Sequence, residues 1–161
     1  YNVFDPNKDG SIFAEYNSGN FKEKKAYNKA KLQEELGLPV DSSKYMMAII
    51  SRLTDQKGLD LVSYAMERIC DENTQFVIIG TGDPKYENMF RHYQWKYPER
   101  VSANILYSDK LAHKLYAAAD AHALSVRAVR TYTAHLAEIR HYTDSTRNRR
   151  PKGHRKAVQR V

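Results

Sequence analysis

With a single cysteine in 161 residues, the chain can have no disulfide framework. Cys70 closes a segment of helical periodicity, where a lone thiol serves as a small core residue. No apolar run approaches the roughly 18 residues that mark a membrane-spanning helix, and no secretory signal opens the chain. Both fit a cytoplasmic protein. There is no initiator methionine either, and a start at Tyr1 is what a fragment would show. His92 and Trp95 have no partners at metal or catalytic spacing, so neither is assigned chemistry. What remains is long enough for one domain with a sizeable core.

Negative charge is scarce at only one end. The net charge of +7 would ordinarily point to nucleic acid or another anionic surface. Residues 1–120, however, hold 16 Lys+Arg against 17 Asp+Glu, and residues 121–161 hold 10 against 2. The excess lies entirely in the last quarter, so the two stretches need separate explanations.

Asp5-Pro6-Asn7-Lys8-Asp9-Gly10 opens like a calcium loop, with Ile12 at the usual apolar position. The bidentate glutamate such a loop needs is missing: Tyr16 holds its place, and Glu15 comes one residue early. Too few residues precede Asp5 for an entering helix. A connector rich in turn formers is the better account.

The rest of the first 120 residues alternates strand and helix. Phe21 to Leu36 reads as a helix, closed by Gly37 and stopped by Pro39, with its lysines on a solvated face. Met46 to Ile50 and Gln75 to Ile79 are short, partly β-branched apolar runs, expected to be buried strands. Between them Leu59, Val62, Ala65, Met66 and Ile69 recur at helical spacing. A helix follows from Pro84 to Tyr97, with Tyr86, Phe90, Tyr93 and Tyr97 forming a stripe read as core. Val101 to Ile105 gives a third strand, and Ser108 or Asp109 can cap a helix over Lys110–Ala119. Strands and helices in this order predict an α/β fold with a parallel, doubly wound, Rossmann-like sheet.

In such sheets ligands bind beyond the carboxyl ends of the strands. There the first strand meets Ser51-Arg52-Leu53-Thr54-Asp55-Gln56-Lys57-Gly58. Two cations beside a helix N-terminus suit a phosphate or diphosphate, although Arg52 and Lys57 could equally be solvated loop residues. The second strand meets Gly80-Thr81-Gly82-Asp83-Pro84. Two glycines there allow backbone to approach a ligand closely, but the third glycine of a dinucleotide fingerprint is absent.

The words themselves carry a resemblance. Ser51-Arg52-Leu53-Thr54-Asp55-Gln56-Lys57-Gly58-Leu59-Asp60-Leu61 is similar to a loop of the bacterial glycogen synthases and plant starch synthases. Tyr1 to Pro6, Leu32 to Pro39, Gly80 to Pro84 and Tyr97-Pro98 follow in the same family's order, so that the resemblance runs from Tyr1 to about Asp120. It implies part of the C-terminal domain of a two-Rossmann-domain enzyme that transfers glucose from ADP-glucose to the non-reducing end of an α-1,4-glucan, retaining configuration. It further implies that Arg52 and Lys57 hold the diphosphate, that Gly80 and Gly82 lie near the donor, and that Tyr107 lies against adenine. No metal or other cofactor is implied, because the two cations do that work. The resemblance divides the chain into an interdomain connector (1–20), a partial nucleotide-sugar-binding domain (21–120) and a basic tail (121–161). Lacking the N-terminal domain, such a fragment is expected to be inactive. Its location would be cytoplasmic, or plastidial in a plant. Another nucleotide-sugar glycosyltransferase with the same loop is the alternative within this class.

After Asp120 the resemblance stops. The family's M-P-S-R-F-E-P-C-G-L, Y-G-T and R-x-T-G-G-L segments are missing. Residues 121–161 contain no Phe or Trp, and hold four of the six histidines around Arg147-Asn148-Arg149-Arg150-Pro151-Lys152. One reading is a disordered basic arm that binds nucleic acid. Another comes from the genetic code. Read one base later, the codons of His122 to Thr131 allow M-P-S-R-F-E-P-C-G in register, and those of Ile139 to Lys156 allow the Y-G-T and T-G-G segments. The expectation is therefore an out-of-frame tail, disordered or locally helical, for instance over Tyr132–Tyr142, and not a nucleic-acid arm.

Overall fold

The computed structural model describes residues 4–122. The expectations for a basic arm, a tail helix and a changed reading frame concern residues 123–161 almost entirely, and there they lie outside the described residues.

The elements run α1 (Phe21–Glu35), β1 (Tyr45–Ile50), α2 (Leu59–Ile69), β2 (Thr74–Ile79), α3 (Pro84–Lys96), β3 (Val101–Asn104), α4 (Asp109–Ala118) and β4 (Ala121–His122). All pairings are parallel, and the strand order is β3-β2-β1-β4. The chain therefore steps outward from β1 through β2 to β3, then returns to the other side of β1. That reversal makes a doubly wound sheet with a switch point between β1 and β4. The sheet runs two residues past Asp120, because Ala121 and His122 pair with Met47 and Ala48.

Side chains alternate across the sheet, as a strand requires. Met46, Ala48, Val77 and Ile79 pack with Leu32 of α1 and Leu115 and Ala118 of α4. Their neighbours Met47, Ile49, Phe76 and Ile78, also buried, face the other way, where the Phe76 ring meets Phe90 of α3 edge-on at 6.3 Å. Cys70, 3 % exposed, belongs to the buried core, and burial pushes its thiol up to about 12. In the α3 stripe, Tyr86 and Phe90 are core, whereas Tyr93 and Tyr97 are half-buried and stack on one another.

The lysines of α1 need a correction. They do not form one solvated face. Lys29 is buried, with its ammonium donating to the Lys44 carbonyl and to Asp120 Oδ2 at 2.6 Å, and Lys25 donates to the Ala119 carbonyl at 3.2 Å. Asp120 Oδ2 also accepts from Met46 N–H at 2.7 Å. α1 has almost no amphipathic pattern because the surface it covers is partly polar: it buries Asn28, Lys29 and Gln33 beside Leu32. Long lysine stems cover apolar surface while their heads reach carbonyls.

The segment before α1 is clamped by Asn28. Its side chain accepts from Phe13 and Ala14 N–H at 3.0 Å and donates to the Ala14 and Lys24 carbonyls at 2.8 Å. The carboxylates of the calcium-like pattern are otherwise engaged. Asp5 accepts from Asn7 N–H, and Asp9 accepts from Ser11 N–H and meets His113 Nδ1 at 2.6 Å. Among the described residues, no three His, Cys, Asp or Glu side chains converge to hold a metal ion, and no helix is long and apolar enough to cross a membrane.

Candidate functional site

Two loops at the carboxyl edge of the sheet are stitched together by backbone. Ser51 N–H donates to the Ile79 carbonyl at 3.1 Å, and Leu53 N–H to that of Thr81 at 3.0 Å. Asp83 N–H then donates to the Leu53 carbonyl at 2.7 Å. Leu53, fully buried, anchors the seam and forms a parallel bridge with Gly82. This contact explains the two glycines. A Cβ on Gly80 would stand 1.9 Å from the Ser51 carbonyl oxygen, and one on Gly82 would stand 2.3 Å from that of Leu53. Gly80 also has φ +152°, which disfavours a side chain. The close approach these glycines permit is that of the neighbouring loop.

The first loop presents its cations outward. The side chains of Arg52 and Lys57 are exposed and make no hydrogen bond, ion pair or ring contact among the described residues. Lys57 lies in a single 3-10 turn (Asp55–Lys57) just before Gly58 and α2. That turn is tied to α3 by a short hydrogen bond from the Tyr86 hydroxyl to Asp55, which pushes the Tyr86 phenol up to about 12. The N-terminus of α3 is already supplied with anions: Asp83 accepts from Lys85 N–H, and Glu87 from Gly82 N–H at 3.0 Å. Of the cations on these two loops and the start of α3, Lys85 faces Asp55 and the Tyr86 ring, whereas Arg52 and Lys57 have no partner among the described residues.

A cavity of about 410 Å³ opens beside this seam, at the carboxyl ends of β1, β2 and β3. Its polar lining comes from Ser51, Arg52, Thr81, Ser108 and Asp109, and its apolar and aromatic lining includes Leu106, Tyr107, Ala112 of α4, and Tyr116 four residues further along the same helix face. Tyr107 is 85 % exposed, and its hydrogen bond to Asp109 raises its phenol above the ordinary range. Ser108 caps α4 by accepting from Leu111 N–H at 3.2 Å. Arg52, Gly80 and Tyr107 thus share one cavity, whereas Lys57 and Gly82 stand outside its lining. Sequence reasoning missed Thr81, Tyr116 and Phe4. The first two could have been inferred from their places after β2 and on α4; Phe4, from the N-terminal segment, could not.

The reversed strand order defines a Rossmann-like α/β domain, with an open cavity of mixed polar and apolar lining at the carboxyl ends of its strands. No family model matches the chain. The glycogen synthase of Lachnospira eligens is 55 % identical over 121 residues, which is 75 % of this chain and 25 % of that protein. The glycogen synthase of Clostridium acetobutylicum is 44 % identical over 120 residues, again 25 % of its length. Among solved structures, the catalytic domain of starch synthase IV from Arabidopsis thaliana, bound to ADP and acarbose, superposes with a TM-score of 0.68 and 28 % identity over 75 % of this chain and 25 % of that one. Over the matched residues the chain belongs to the glycogen synthase and starch synthase family. It spans about a quarter of the length of the curated relatives it matches.

Proposed function

We propose that this domain holds the ADP portion of ADP-glucose in an enzyme that transfers glucose to the non-reducing end of an α-1,4-glucan. One observation carries the reading: two cations without partners among the described residues stand on a backbone-paired seam, and one of them, Arg52, lines a cavity at the strand ends together with aromatic side chains. Arg52 faces the diphosphate from the cavity wall, and Lys57 reaches it from the turn ahead of α2. Their positive charge stabilises the leaving diphosphate as its bond to glucose breaks, and being preorganised it costs no rearrangement at that moment. Tyr107 lies against adenine. Gly80 and Gly82 act indirectly, by letting the two loops close on one another. The cations take the role a metal would have in other transferases. A cytoplasmic location, or a plastid in a plant, goes with this activity.

Expressed alone, residues 1–161 bind ADP or ADP-glucose weakly and do not turn over the donor, because one domain supplies one wall of an interdomain cleft. Calorimetric titration with ADP and a glucosyl-transfer assay on the same preparation test both halves. Turnover by this chain refutes the second.

We further propose that residues 121–161 are read out of frame. Similarity extends over 118–121 residues in the relatives, as long as the segment ahead of the charge step. His122 adds a physical sign. Its Nδ1 is buried and has no hydrogen-bond partner among the described residues, and burial holds its imidazole below the usual range. The nucleotide sequence encoding Leu115 to Val161 decides: stop codons in the alternative frame overturn this reading.

A further inference from the structure

Phe4 lies far from the loops in sequence, yet it lines the cavity that contains Arg52 and Tyr107. It also lines a second cavity of about 390 Å³ with Asp9, Tyr16 and His113, and Tyr116 is likewise common to both. The ring is held from behind. It stacks on His113 at 4.4 Å with an interplanar angle of 17°, and Tyr116 meets it edge-on at 5.4 Å. His113 is fixed in turn by Asp9, 2.6 Å from its Nδ1, with both side chains about nine-tenths buried. A ring stacked on His113 through one face can offer the other to a ligand, and Phe4 is 58 % exposed among the described residues. An aromatic ring pinned on one side by a buried polar couple and left bare on the other is unexplained as core packing. It is what a stacking surface for a flat ligand requires.

We infer that Phe4 is a second aromatic wall for the nucleobase, and that Asp9 and His113 are positioning residues that hold it there. The inference rests on the ADP-binding reading above. It gives the segment before α1 a part in selecting the ligand: the base end of the cavity is built from residues at both ends of the described fold, Phe4 and Tyr116, with Tyr107 between them in sequence.

The test is calorimetric titration of the full 161-residue chain with ADP and, separately, with inorganic pyrophosphate. Base stacking is worth about 1–3 kcal/mol, and 1.4 kcal/mol is a factor of ten, so Phe4→Ala should weaken ADP binding about tenfold while leaving pyrophosphate unchanged. Phe4→Trp should restore ADP binding. Asp9→Asn should weaken ADP binding by a smaller factor, and in the Phe4→Ala background it should cost almost nothing further, since it acts through the ring. ADP binding unaffected by Phe4→Ala overturns the inference alone. Equal losses for ADP and pyrophosphate in Phe4→Ala also overturn it, because the change is then structural. A wild-type chain that binds neither probe overturns the proposed function, and this inference with it.

Discussion

The two ends of the sheet treat polar groups in opposite ways. At the amino ends of the strands every strong donor and acceptor described above is matched: Lys29 with Asp120, Asp120 with Met46 N–H, and Gln33 with Gln75, whose own amide reaches the Pro39 carbonyl. At the carboxyl ends Arg52 and Lys57 have no partners among the described residues, and Phe4 and Tyr107 present open rings. Buried polar groups must be paired to be tolerated, so matching at one end is a condition of folding. Exposed charge and ring surface at the other end meets no such condition, since water can satisfy it; under the function proposed above it is the surface that ADP covers. On that proposal the contrast separates residues that hold the fold from residues that hold a ligand.

The strongest way to break it is at the amino end. Asp120→Ala leaves the Lys29 ammonium buried without its carboxylate and should cost about 3 kcal/mol in urea denaturation. Next comes the seam. Gly80→Ala forces a Cβ into the Ser51 carbonyl and should cost about 1–3 kcal/mol while also weakening ADP binding, the one substitution expected to register in both assays. Arg52→Ala should do the reverse of Asp120→Ala: stability within about 0.5 kcal/mol of the parent, and ADP affinity lower by about tenfold or more, since a hydrogen bond to a charged group is worth about 1.5–3 kcal/mol. Should Arg52→Ala unfold the domain, or Asp120→Ala spare it, the proposed division of labour is wrong.

The effect smallest near neutrality concerns pH. Burial raises the Cys70 thiol to about 12, so the folded state keeps it protonated at pH values where an unfolded chain releases the proton, from about 9 upward. Stability should fall as pH rises through that window, and Cys70→Ala should flatten the fall. Alkylation at pH 8 should be slow in the folded protein and fast in urea.

Much of this was legible in the residues. The apolar runs at Met46 and Gln75 were long enough to give β1 and β2, and their alternation with helical stretches gave the parallel sheet. The change from apolar run to Ser51-Arg52 placed the cations at the correct edge. What escaped were contacts between residues distant in sequence. Nothing near Lys29 announces Asp120, 91 residues later, and so a lysine in a lysine-rich helix read as solvated. Gly80 and Gly82 read as places of close approach, and a glycine does not show what comes close. Here it is the backbone of Ser51 and Leu53; Gly80 also lines the cavity. Phe4 was read as part of a connector because its role depends on His113, on a helix more than a hundred residues away.

The Leu53–Gly82 bridge has one more consequence. Because Leu53 and Asp83 exchange backbone hydrogen bonds with the facing loop, the two loops share a register, as paired strands do. Inserting or deleting one residue in either would shift the other's anchor and carry Arg52 away from the cavity. Homologues should therefore conserve the lengths of these two loops more strictly than their side chains.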